Sequence, residues 1–149
     1  PSMYRPAAPP LSVAEVSGLR IEEITDDRGV KTFERVRETA HGRLQSSQKL
    51  SSPHLDARTL GNGYRLWLGR IGTEAVATGA SFEGESLNMV KNISTLKDFR
   101  GQGIGTAMSA QAIGASSKPA ELNSDPAGFR LYRKLGFTEI GKVQFWAFP

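Results

Sequence analysis

The residues with the clearest chemical pattern lie in the run Phe99-Arg100-Gly101-Gln102-Gly103-Ile104-Gly105. Gly101, Gly103 and Gly105 remove side chains where the backbone turns from a strand into a helix. Free amide N–H groups at such a place approach an anion closely, and the helix dipole adds partial positive charge. Arg100 brings a full charge to the same edge, and a diphosphate suits the combination. Two familiar phosphate loops do not fit. A Walker loop ends in Gly-Lys-Ser/Thr, whereas here Gly105 precedes Thr106. A dinucleotide fingerprint needs GxGxxG in the first strand–helix unit, and this GxGxG lies two thirds of the way along. Taken alone, three glycines between a strand and a helix also suit a plain tight turn.

Other residue types exclude whole classes of chemistry. The 149-residue chain has no cysteine, hence no disulfide, no zinc–thiolate site and no cysteine nucleophile. Its two histidines, His41 and His54, do not stand at metal-ligand spacing, so no metal is expected. Nineteen Lys and Arg against 15 Asp and Glu give a net charge of +4, which favours anionic ligands. Basic residues form no run and interleave with aromatics only in the segment Phe129–Lys134, so nucleic acid is not an expected partner. No stretch has the 18 or more apolar residues of a membrane-spanning helix, and no membrane partner is expected. The chain begins at Pro1 and reads as processed or cut from a longer one; we expect it to work in the cytoplasm.

The elements that must position the glycine loop follow from periodicity. Residues 1–17 hold Pro1, Pro6, Pro9 and Pro10 with few large apolar residues, and read as a proline-rich tail or linker before a domain at 18–149. Leu19–Ile24 reads as a first strand. Asp26 and Asp27 are candidate N-caps for a helix over Arg28–Ala40, with Val30, Phe33, Val36 and Ala40 on one face. A polar stretch from His41 to Gly63 holds one short helix near His54–Leu60. Strands are predicted at Tyr64–Gly69, Ala75–Phe82 and Leu87–Leu96. Beyond the glycine loop, Ile104, Met108 and Ala112 mark a helix, Ala120–Asn123 a short strand, Ala127–Leu135 a helix, and Val143–Phe148 a buried strand containing Trp146 and Phe148. The order predicts a single-domain α/β (α+β) fold: a mixed, mostly antiparallel twisted sheet of six to seven strands flanked by about four helices.

The string Phe99–Gly105 resembles the acyl-CoA-binding motif of the GNAT superfamily of N-acyltransferases: Arg or Gln, two residues, Gly, one residue, then Gly or Ala. Arg100, Gly103 and Gly105 match it. Phe129–Phe137 (FRLYRKLGF) resembles the family's tyrosine helix and following Leu-Gly-Phe turn, at the family's distance from the loop. The motifs cover Leu87–Phe137, and the element order covers Leu19 to Phe148. By this resemblance the cofactor is acetyl-CoA. Ile93, Ser94 and Thr95 would end a strand that splays from its neighbour and offers backbone groups to the pantetheine arm. Gly101, Gln102, Gly103, Ile104, Gly105 and Thr106 would hold the diphosphate, and Asn123 and Ser124 would sit across the splay. Family members often carry asparagine seven residues before the tyrosine; this chain has Asp125 followed by Pro126, leaving Ser124 or Asn123 to make that contact.

The resemblance further implies acyl transfer to a primary amine, a small molecule or a peptide, by direct attack on the thioester. A backbone N–H near Ser94–Thr95 would polarise the carbonyl. Tyr132 is the candidate partner of the departing thiolate. A tyrosine of pKa about 10 and a thiol of about 8.5 make full proton transfer uphill by roughly 2 kcal/mol, so its role is a hydrogen bond rather than complete proton donation. Glu74, Glu83, Glu85 and a water chain are the open choices for the base, and His41 and His54 fall in the polar segment that would wall the acceptor site. A non-catalytic acyl-CoA-binding module, half of a tandem pair, is the alternative reading, and a homodimer is left open.

Overall fold

A computed structural model of the chain describes residues 1–43 and 57–144. Seven strands form one sheet: β1 (Ser2–Arg5), β2 (Leu19–Glu23), β3 (Tyr64–Ile71), β4 (Glu74–Glu83), β5 (Asn88–Thr95), β6 (Ala120–Asn123) and β7 (Thr138–Gly141). Their spatial order is β2-β3-β4-β5-β6-β1-β7. Helices α1 (Asp27–Ala40), α2 (Ile104–Gly114) and α3 (Phe129–Lys134) connect them, with single 3-10 turns at Ala57–Thr59 and Lys97–Phe99. All neighbours pair antiparallel except β5 and β6, which are joined through α2. This is the mixed, mostly antiparallel sheet flanked by helices that the element order predicts.

Local chemistry explains the helix starts. The Asp26 carboxylate accepts a hydrogen bond from the Gly29 N–H at 2.8 Å and caps α1. Val30, Phe33 and Val36 then fall on one face and bury themselves against Leu66, Leu68 and Ala80 of the sheet. Trp67, between the two leucines, points to the other face and packs with Ile104, Met108 and Ala112 of α2. The alternation along β3 thus supplies both cores, and α1 and α2 lie over the same central strands from opposite sides.

The first 17 residues depart from the expected tail. Ser2–Arg5 is a strand inserted between β6 and β7, antiparallel to both, and Met3 is fully buried. The physical reason is the crossover from β6 through α3 to β7, which leaves a gap one strand wide; β1 fills it. The signal is hidden because the strand is four residues long with prolines just outside it, at Pro1 and Pro6, where they interrupt no ladder. The Arg5 guanidinium is buried as well, its Nε donating to the Leu135 carbonyl at 2.9 Å. Beyond β1, Leu11, Val13 and Val16 pack against the α2-side core.

The last strand also differs. It is the exposed Thr138–Gly141, whereas Val143, where the expected buried strand begins, is exposed and outside any strand. The sheet position beside β6 that a final buried strand would take is held by β1. Trp146 and Phe148 lie outside the described residues, as does His54. Of the short helix expected near His54–Leu60, the described part is the turn Ala57–Thr59.

Candidate active site

The site begins with an irregularity in β5. Thr78 pairs with Ser94 and Ala80 with Lys91, so the single residue Gly79 opposes two, Asn92 and Ile93. Such a bulge leaves backbone polar groups outside the ladder and bends the strand. Asn92 adopts a positive φ of 52°, a conformation asparagine tolerates better than most residues. Its carbonyl accepts a hydrogen bond from the Thr78 hydroxyl at 2.7 Å, and that hydroxyl also meets the Ser94 hydroxyl. On the other side of β5, pairing with β6 consists of Asn88↔Ala120 and Met89↔Glu121 alone. From Val90 onward the two parallel strands part.

The gap opens into a cleft of about 750 Å³. Along β5 it is lined from Val90 to Thr95, and along β6 by Leu122, Asn123 and Ser124. Pro1 steadies the β6 wall, its carbonyl accepting from the Ser124 N–H at 2.8 Å. The Ser124 hydroxyl donates to the Asp125 carbonyl at 2.7 Å, and the Asp125 carboxylate accepts from the Gly128 N–H at 2.6 Å at the start of α3.

One end of the cleft is the glycine loop. Gly101 and Gly103 have φ of 77° and 85°, a region costly for any residue with a Cβ. Gly103 is the N-cap of α2 and has no side chain to cap with, so the first-turn amides are open to a ligand. Gly101, Gly103, Ile104, Gly105 and Thr106 all line the cleft.

The structure therefore brings together, in one cleft, Ile93, Ser94, Thr95, Arg100, Gly101, Gly103, Ile104, Gly105, Thr106, Asn123, Ser124 and Tyr132. Gln102 is exposed and is not among the lining residues. Arg100 lies at the edge of the cleft with its donors engaged: Nε donates to the Thr95 carbonyl at 3.0 Å and a terminal nitrogen to the Ala40 carbonyl at 2.7 Å. It ties the last turn of α1, whose dipole favours a cation, to the glycine loop.

Tyr132 meets Phe137 edge-on, ring centroids 5.9 Å apart. Burial pushes its phenol above the usual value; the nearby Ser109 hydroxyl works against this and the Asp125 charge adds to it. The group stays protonated at neutral pH and can donate a hydrogen bond.

None of Glu74, Glu83 and Glu85 lines the cleft. Hydrogen bonds from Ser116 and then Lys118 outweigh desolvation and hold the Glu83 carboxyl below its ordinary value, with Lys118 3.4 Å away. Residues the sequence does not single out for the site do line it: Ala40, Lys91 and Asn92, together with Asp125 and with His41 from the polar segment after α1. For Lys91 and Asn92 the signal is a β-bulge, which no local motif announces. His41 is exposed, yet partial desolvation, then the Arg43 charge, hold its imidazole below its usual value against the pull of Glu38, so the neutral form prevails at pH 7.

The site is thus a sheet that parts between its two parallel strands, with the first turn of a glycine-capped helix lining the opening. Comparison with known proteins places it further. The family model described as "Acetyltransferase (GNAT) domain" matches residues 62–139, more than half of the chain. The chain belongs to the GNAT acetyltransferase family. No curated protein matches it by sequence.

Among solved structures, a GCN5-related N-acetyltransferase from Kribbella flavida matches with a TM-score of 0.67 and 20% identity, over 93% of this chain and 53% of its own. The chain thus spans about half the length of that protein. A predicted acetyltransferase from Clostridium acetobutylicum, solved with acetyl-CoA, matches with a TM-score of 0.67 and 15% identity, over 87% and 96% of the two chains. An aminoglycoside acetyltransferase from an uncultured soil metagenomic sample, in complex with sisomicin, has a TM-score of 0.64 and 16% identity over 89% and 96%. At these identities the likeness is one of fold.

Proposed function

We propose that the protein transfers an acetyl group from acetyl-CoA to a primary amine by direct attack. The observation that carries the reading is the continuity of the cleft from the parted strands β5 and β6 to the open amides of Gly101–Thr106. The residues fit the cofactor: an elongated gap edged by unpaired strand backbone suits an amide-bearing arm, and a left-handed glycine cradle suits its diphosphate. When bound, acetyl-CoA supplies an activated thioester.

The chain's own groups then have definite tasks. A backbone N–H freed at the Asn92–Ile93 bulge polarises the thioester carbonyl without reorganisation. The amine nitrogen bonds to the carbonyl carbon, the carbon–sulfur bond breaks, and the proton leaves the nitrogen. Tyr132 donates a hydrogen bond to the sulfur as negative charge collects there. His41 is a neutral nitrogen base among the lining residues and can take a proton where no glutamate reaches.

Calorimetric titration with coenzyme A tests the reading. G103V places a branched side chain at φ 85° in the cradle, next to Val16. Affinity should fall at least 100-fold with the far-ultraviolet spectrum unchanged, and a thiol-release assay with an amine panel should register turnover for the native chain alone. Unaltered affinity in a folded G103V would defeat the proposal. The span of half the Kribbella protein favours a second reading, an acyl-CoA-holding half of a two-domain protein. Cofactor binding with no turnover on any amine would select it.

A further inference from the structure

Lys91 stands one residue before the bulge that marks the reacting end of the cleft, and it lines that cleft. It pairs across the ladder with Ala80, and cross-strand partners share a face. Ala80 belongs to the core under α1, while Val90, the preceding residue, is buried on the α2 side. Lys91 is therefore on the α1 face, exposed, one step from the polarising amides.

Its charge is not compensated. Lys91 has no ion pair or hydrogen bond among the described residues. Among the described residues Asp125, beyond the end of β6, is the carboxylate lining the cleft, and its Oδ1 accepts from the Gly128 N–H. From α1, Glu34 is matched by Arg37, and Glu38 by Arg37 and Arg43; His41 is neutral at pH 7 and Arg100 adds a second positive charge. An ammonium group arriving beside Lys91 meets repulsion, which lowers its pKa and favours the neutral nucleophile. A substrate carrying a carboxylate a few bonds from the reacting centre would turn that repulsion into a charge-assisted hydrogen bond.

We propose that Lys91 selects a carboxylate-bearing substrate at the reacting end of the cleft, either an amino-acid-like acceptor or a dicarboxylic acyl group on the donor. The proposal rests on the acetyltransferase reading and names its substrate class. The two sources of the carboxylate are separated by experiment. In one arm, amino acids are compared with their carboxamides and decarboxylated amines, with acetyl-CoA as donor. In the other, succinyl-CoA is compared with acetyl-CoA, using an uncharged primary amine.

The expected result is a kcat/KM at least 10-fold higher for the anionic substrate in one arm. That ratio should fall toward one in K91M and return in K91R. For a chain that binds coenzyme A without turnover, the same ratios are read as dissociation constants. A ratio near one in both arms for the native chain, or a K91M that loses anionic and neutral substrates alike, would overturn the role of Lys91. Loss of coenzyme A binding altogether would instead indict the acetyltransferase reading.

Discussion

Tyr132 shows how one side chain takes its role from its surroundings. Burial raises its pKa, which makes it a weaker acid and a more secure hydrogen-bond donor. In the proposed reaction its task is to hold developing thiolate charge, since a hydrogen bond to a charged group contributes about 1.5–3 kcal/mol. Y132F should therefore lower kcat by about 10- to 100-fold, while KM for acetyl-CoA changes little, because the bond matures only as the sulfur leaves. Stopped-flow thiol release measures this. A KM effect with kcat intact would assign the hydroxyl to ground-state binding. At the same scale, Arg100 is read differently from sequence and from structure. The motif suggests a phosphate ligand, yet the guanidinium braces Thr95 and Ala40, so its contribution runs through the shape of the loop.

At the scale of elements, β1 carries the sharpest test. Met3 is fully buried and packs in the core with Leu122 and Phe137. M3A should cost about 2–4 kcal/mol in urea unfolding, whereas a solvated tail would give almost nothing. The neighbouring Arg5 and the carbonyl of Pro1 link the same strand to the ends of α3 and β6. What was legible in the sequence follows the same line. Helix α1 is legible because Asp26 caps it and Val30, Phe33 and Val36 keep one period; β3 and β4 are legible because they alternate or run apolar to a glycine turn. The glycine loop and Tyr132 are legible because each sits in a local motif. The bulge at Asn92, and Lys91 beside it, are not, because a register shift is set by the partner strand and leaves no local pattern. β1 is not legible for a related reason: its partners lie more than 110 residues away, and two prolines flank it.

The molecule as a whole carries +4, and several of its carboxylates are committed to arginines. Hydrogen bonds from Arg70 lower the Glu22 carboxyl and those from Arg65 lower Glu23, at 2.6 Å and 2.7 Å. For Glu38, burial alone would raise the pKa, but the hydrogen bonds and charges of Arg43 and Arg37 outweigh it. In each case the folded value lies below the ordinary 4.5, so the unfolded chain binds protons first as the pH drops. The stability these pairs supply is complete above pH 4.5 and is lost as the pH falls through the folded values. The pairs are partly exposed and contribute only on the order of 0.2–1 kcal/mol apiece. Their loss adds to a second term, since every protonated carboxylate increases a positive charge already in excess. The urea midpoint should thus stay level from pH 7 to about 5 and decline below 4.5. The Glu22–Arg70 and Glu23–Arg65 pairs cross from β2 to β3, and β2 is an edge strand with no other neighbour among the described residues. Hydrogen exchange at pH 3 should therefore loosen the β2 amides before those of β4 and β5. E23Q should flatten part of the acid decline by removing one titrating partner. A midpoint unchanged down to pH 3, or β4 amides exchanging ahead of β2, would show that these ion pairs do not hold the edge of the sheet.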